Sequence, residues 1–114
     1  MESEAKIQQS CVVWYRNNYC LAHHSPRNLI LAVPNEKNPH RAQTGLYAGA
    51  SDLIIVHRQN KGYSPFRLIF IEIKKLNKNQ SKAQISFQNH VEEMGFEYHV
   101  VRSLMKFKAI IDGK

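Results

Sequence analysis

Cysteine is scarce in this chain, with only Cys11 and Cys20 among 114 residues, and no charged, apolar and small-residue leader pattern accompanies them. A small secreted scaffold held by disulfides is therefore not indicated, and both thiols are expected to be reduced and buried. Long apolar runs are also missing: the apolar stretches are strand-sized and broken by charge, far short of the roughly 20 residues that span a bilayer. The expectation is a soluble, intracellular protein without a membrane partner. Six histidines are present, yet His23, His24, His40, His57, His90 and His99 show no zinc-ligand spacing with cysteine, Cys20 and His23 being the one near pair. Asn89-His90 has no second histidine motif around it, so a His-based nuclease is not indicated either. Repeats and low-complexity segments are absent.

Acidic residues are few, and this shortage is informative. Nine Asp and Glu stand against 16 Lys and Arg, giving a net charge of +7 and a pI near 9.6. Such a surplus favours a polyanionic partner, because Lys and Arg on phosphates release condensed counterions. The basic residues are spread along the chain, so any binding patch must be assembled by folding. A length of 114 residues suits one domain, 1–114, large enough to bury a core.

Glu4, Ile7, Gln8, Cys11, Trp14 and Tyr15 fall on one helical face, predicting an amphipathic helix over residues 4 to 17. Glu4 and Gln8 are anomalous there, since a purely structural helix carries Leu or Ala at such positions. Trp14, Tyr15 and Tyr19 are read as core rather than as a base-stacking platform. Asn28 to Val33 reads as a strand, and the Pro- and Asn-rich Pro34 to Arg41 as a turn, followed by a loop through Gly45 and Gly49.

Two β-rich runs follow, Asp52 to Arg58 and Phe66 to Lys74, joined by QNKGYSP, whose Gly, Asn and Pro suit a hairpin. If pairing is symmetric about Gly62, Asp52 lies opposite Glu72, with Cβ atoms about 4.5 to 5.5 Å apart. Alternation then puts Asp52, Ile54, Val56, Leu68, Phe70, Glu72 and Lys74 on one face and Leu53, Ile55, Ile69, Ile71 and Ile73 on the other. Both faces are apolar, so the sheet needs covering on two sides, which implies α/β layering. Ser81-x-x-Gln84 is a capping box opening a helix that carries Ile85, Phe87, Val91 and Met94 and stops at Gly95. Phe96 to Arg102 is a further strand, and Ser103 caps a last helix with Leu104, Phe107, Ile110 and Ile111. The order is α-β-β-β-α-β-α, a mixed central sheet flanked by helices.

Two carboxylates at the end of a buried hairpin repel each other and are costly to desolvate. A divalent cation resolves that cost: Mg²⁺ prefers oxygen ligands, so Asp52, Glu72, the Ile73 carbonyl and water make a suitable set. Lys74, on the same face as Glu72, can orient or help deprotonate an attacking water and stabilise charge on a phosphate. This combination suits phosphodiester hydrolysis.

The sequence Asp52…Glu72-Ile73-Lys74 resembles the D…E-x-K core of PD-(D/E)xK nucleases, which have the restriction-endonuclease-like fold. The Glu4-Ala-Lys-Ile-Gln8 start, the Val33-Pro34-Asn35 turn, Gly45, Gly49-Ala-Ser-Asp52 and Ser81-x-x-Gln84 resemble the virus-type replication-repair nuclease (VRR-NUC) domain, from about Glu4 to Ile110. Ser51 stands where the class name has proline, a position without chemistry. The resemblance implies a Mg²⁺- or Mn²⁺-dependent deoxyribonuclease with Asp52, Glu72, Lys74 and Gln84 as catalytic residues. Its metal would be held by Glu4, Asp52, Glu72 and the Ile73 carbonyl, with Gln8 also lining the site. It further implies a homodimer acting on branched DNA such as four-way junctions.

Each assignment has a plainer competitor. Glu72 and Lys74 would serve as an ordinary strand-end ion pair, Glu4 as a first-turn residue favourable to the helix dipole, and Gln84 as the capping partner of Ser81. For the whole chain the alternatives are a non-catalytic DNA-binding module with this fold and an RNA-directed protein, although no RNA-clamping motif is visible.

Overall fold

The computed structural model describes residues 1–21, 28–34, 45–59, 62 and 64–113. The turn expected over Pro34 to Arg41 and the centre of the QNKGYSP connection therefore lie largely outside the described residues, as do His23, His24 and His40.

Helix α1 (Glu4–Tyr15) opens with Ser3 as N-cap, whose side chain accepts from Lys6 N, supplying an oxygen to an otherwise orphaned amide. The chain then runs on as a π-helical turn, Arg16–Leu21, instead of ending near residue 17. Strands β1 (Leu29–Ala32), β2 (Leu53–Arg58) and β3 (Phe66–Ile73), helix α2 (Lys82–Glu93), strand β4 (Glu97–Val101) and helix α3 (Leu104–Asp112) complete the expected order.

The sheet order is β1-β2-β3-β4. β1, β2 and β3 are antiparallel neighbours, while β4 lies parallel to β3. The parallel pair follows from connectivity, since α2 carries the chain back to the starting end of β3. In the β2–β3 ladder Leu53 pairs with Ile71 and Arg58 with Phe66. Every pair is symmetric about Gly62, as expected.

The two faces separate as the alternation requires. Leu53, Ile55, Ile69, Ile71 and Ile73 form the core with Ile7, Cys11 and Tyr15 of α1 and Phe107 and Ile111 of α3. On the other face Phe70 meets Phe87 of α2 with ring centroids 5.8 Å apart, and Phe87 meets Tyr98 at 6.2 Å. The apolar side of α2 is narrower than its sequence suggests: Val91 is buried, but Ile85 and Met94 are exposed. Trp14 and Tyr19 pack against the core, as read. Cys11 is buried and its thiol is pushed up to about 12, chiefly by burial. Cys20, expected to be buried, is half-buried because it lies on the π-helical turn, where Sγ faces Asn28 O at 3.4 Å. Both thiols are free. No helix among the described residues is long and apolar enough to cross a membrane.

Candidate active site

At the end where β2 begins and β3 finishes, Glu4, Gly49, Asp52, Glu72, Lys74 and Gln84 line one open cavity of about 440 Å³, joined by Lys78 and Asn79. Three separate causes bring them there. Extending the ladder one step past the Leu53–Ile71 pair sets Asp52 opposite Glu72. Alternation along β3 sends Ile73 into the core and keeps Glu72 and Lys74 on the cavity side. The capping box aims the first turn of α2 at the same point.

Asp52 is anchored by its surroundings. Its Oδ2 accepts from Ile73 N at 2.7 Å, and its carbonyl accepts from Val33 N at 2.8 Å. The preceding Ser51 is buried, with Oγ donating to Leu53 O at 3.2 Å. Ile73 thus gives its side chain to the core and its amide N–H to Asp52.

Glu72 and Lys74 are only 2% and 4% exposed, unusual for charged residues. Glu72 Oε2 accepts from Gln84 Nε2 at 3.0 Å, whereas Oε1 is buried without a partner. Burial first, then the Asp52 carboxylate, pushes the Glu72 carboxyl up to about 8; Glu4 adds to the rise and Lys74 opposes it. Two acceptors side by side have nothing to donate, so they need a shared proton or a cation between them. The expected plain alternative, a Glu72–Lys74 ion pair, is not formed: the ion pairs among the described residues join Arg67 and His99 to Glu97.

Gln84 does two things at once. Its Oε1 accepts from Ser81 N at 2.8 Å and its own N donates to Ser81 Oγ at 3.2 Å, closing the capping box. The remaining amide nitrogen is thereby turned toward Glu72. Capping and site placement are one arrangement rather than alternatives. Glu4, at the start of α1, accepts from Lys75 N at 3.2 Å, which fastens the helix to the end of β3.

Gln8 departs from expectation. It lines the groove between α1 and β1 with Val12 and Ile30, and is not among the residues lining the carboxylate cavity. Four residues past Glu4, it sits roughly 6 Å further along the helix axis. Sequence reasoning also passed over Lys78 and Asn79, whose signal was only the basic, Asn-rich stretch after Lys74.

The donor set suits a hard divalent cation. Asp52 and Glu72 offer carboxylate oxygen, and the orphaned Glu72 Oε1 has a vacant lone pair at the cavity. Among the described residues no cluster of three or more His, Cys, Asp or Glu side chains is assembled to hold an ion unaided. Carbonyl, water or phosphate oxygens would have to complete the shell, the usual way Mg²⁺ is held.

A mixed sheet flanked by helices, with a carboxylate pair and a lysine at a strand end, defines a restriction-endonuclease-like nuclease domain. The sequence model of the VRR-NUC domain matches residues 2–105, so the chain belongs to the VRR-NUC family of nuclease domains. A solved structure described as a VRR_NUC domain protein is similar over 99% of this chain and 88% of its own, with TM-score 0.75 and 22% identity. Another, described as a VRR_NUC domain, covers 96% of this chain and 94% of its own, with TM-score 0.63 and 18% identity. These likenesses establish the fold. No match is found among the curated proteins.

Proposed function

We propose that this protein is a Mg²⁺- or Mn²⁺-dependent DNA endonuclease, selective for branched DNA such as four-way junctions and acting as a homodimer. The observation that carries the reading is the buried Glu72 set against the half-buried Asp52, with an unpartnered Glu72 oxygen and the buried Lys74 in the same cavity. A merely structural pair at that depth is costly, while a metal-holding pair is not. The net charge of +7 supports a polyanionic substrate.

Asp52, Glu72 and the Ile73 carbonyl would hold the ion, with Glu4 assisting. When bound, the ion supplies Lewis acidity, lowering the pKa of coordinated water and neutralising charge on the scissile phosphate. Gln84 keeps the Glu72 carboxylate turned toward the cavity by donating to Oε2. Lys74 donates to the attacking water or to a phosphate oxygen, placing positive charge where negative charge develops. The dimer is inferred from symmetry, since resolving a two-fold junction takes two coordinated incisions.

The test is cleavage of labelled four-way junction, flap, single-stranded and linear duplex DNA in Mg²⁺, Mn²⁺ or EDTA, comparing wild type with Lys74→Ala. Paired, metal-dependent cuts confined to branched substrates and lost in the variant are expected. Tight binding without cutting by either protein would make the chain a DNA-binding module. Competition with matched RNA reports substrate class, and monomers by light scattering with junction cleavage intact would refute the dimer.

A further inference from the structure

Beyond Lys74 the chain makes a tight turn, Lys75 to Lys78, closed by Lys78 N donating to Lys75 O at 3.1 Å. One guanidinium nitrogen straps it: Arg102 Nη1 donates to the carbonyls of Lys75 at 2.8 Å, Leu76 at 3.4 Å and Lys78 at 2.7 Å. The amide of Lys75 is held separately by Glu4 Oε2. The turn is thus fixed from two directions. All four of its residues are exposed, and Leu76 is 68% exposed between the two lysines. Lys78 and Asn79 line the carboxylate cavity itself.

A lone exposed leucine is ordinary on a protein surface. This one differs by its setting, at the crest of a pinned turn, flanked by cations, adjoining the cavity where a phosphate would be cut. Lysines at both ends of the turn suit a phosphate backbone, and the exposed Leu76 lies between them.

We propose that the Lys75–Lys78 turn reads unstacked DNA, with Lys75 and Lys78 on flanking phosphates and Leu76 as an apolar wedge at the adjoining base step. Arg102 is a positioning residue that holds the wedge. The inference rests on the nuclease reading above and adds the source of its selectivity. Inserting a wedge into continuous duplex costs a few kcal/mol of unstacking per step. At a branch point the stack is already interrupted, so the same side chain enters at far lower cost. The wedge therefore separates branched from linear DNA without reading sequence.

The test is run in EDTA, without chemistry. Four-way junction and linear duplex carry 2-aminopurine at the branch point or the matched step, and affinity and fluorescence are read for wild type and variants. Wild type is expected to brighten the junction probe. Leu76→Ala should remove most of that rise and cut the junction-to-duplex affinity ratio by about tenfold, near 1.4 kcal/mol. Arg102→Ala should do the same and shallow the salt slope by up to about two phosphate contacts, with Arg102→Lys recovering part. Val13→Ala, in the α1–β1 groove, serves as the control and should leave both readouts unchanged. Wild-type fluorescence and ratio retained in Leu76→Ala would overturn the proposal, as would failure of the wild type to bind DNA. An intact wedge response in a protein that never cuts with metal would sink the nuclease reading alone.

Discussion

Asp52 stands opposite Glu72 one step beyond the last pair of the β2–β3 ladder, and its carboxylate helps to hold a proton on Glu72. Glu72, pushed up to about 8 by burial and then by Asp52, binds a proton more tightly folded than unfolded, where a glutamate titrates near 4.5. Protonation therefore favours folding: the contribution is complete below about 4.5 and is lost as pH rises through about 8, at up to about 1.4 kcal/mol per pH unit. In EDTA, thermal unfolding should show wild-type stability falling across that window relative to Glu72→Gln, which lacks this contribution. Mg²⁺ should restore the wild type most at the alkaline end and leave Glu72→Gln unmoved. Parallel pH curves for the two proteins would remove the carboxylate pair as the cause.

Much of this site is legible in the sequence, for reasons specific to each residue. Pairing symmetric about Gly62 set Asp52 against Glu72, and the two-residue period put Lys74 beside them. Gln84 was legible as a cap, but its second bond to Glu72 depends on how α2 docks, which no local pattern encodes. Gln8 was set at the site by the family resemblance, and it lies beside the α1–β1 groove, because a shared helical face does not say how far along the axis a cavity extends. Ile85 and Met94 misled because spacing shows an apolar side without its buried width. Arg102 was invisible: its carbonyl partners are 24 to 27 residues away in sequence, and main-chain acceptors leave no trace in side-chain types.

The double use of Gln84 separates two substitutions. Ser81→Ala removes one cap oxygen but keeps the Ser81 amide that orients Gln84 Oε1. It should cost about 1 kcal/mol of stability with a small effect on cleavage. Gln84→Ala loses the reciprocal cap and the donor to Glu72 Oε2, so stability should fall comparably and cleavage roughly tenfold or more. Denaturant titration beside single-turnover cleavage checks both. Equal loss of cleavage in the two variants would reduce Gln84 to a cap.

Gly49 permits the approach of the Asp52 segment to α2. Its φ is +82°, and a Cβ there would lie 2.3 Å from Ala83 O and 2.8 Å from Gln84 N. Main chain cannot yield as a flexible side chain does. Gly49→Ala should cost about 2 kcal/mol or more, lowering the unfolding midpoint by roughly 10 °C. Because the displaced atoms belong to the turn bearing Gln84, the folded fraction should also cut more slowly. Wild-type stability in this variant would show that the two segments do not touch in solution.

Arg67 tests whether stability and chemistry occupy opposite ends of the sheet. It lies five residues before Glu72 on β3, roughly 17 Å away along an extended strand. Its guanidinium holds Glu97 bidentately, at 2.7 Å through both Nε and Nη2. It also donates to the carbonyls of Ile110 and Ile111 at the end of α3, at 3.1 and 3.2 Å. One cation thereby ties β3, β4 and the last helix, satisfying carbonyls that the helix leaves open and matching its negative end. Arg67→Met keeps much of the stem but leaves the half-buried Glu97 with His99 alone, at 3.3 Å, and opens two carbonyls, a loss of about 2 kcal/mol. Cleavage per folded molecule, measured well below the lowered midpoint, should match wild type, since none of these contacts reaches the Asp52–Glu72 cavity. Unchanged stability would show the clamp to be solvent-screened, and lost cleavage in a folded variant would show the two ends to be coupled.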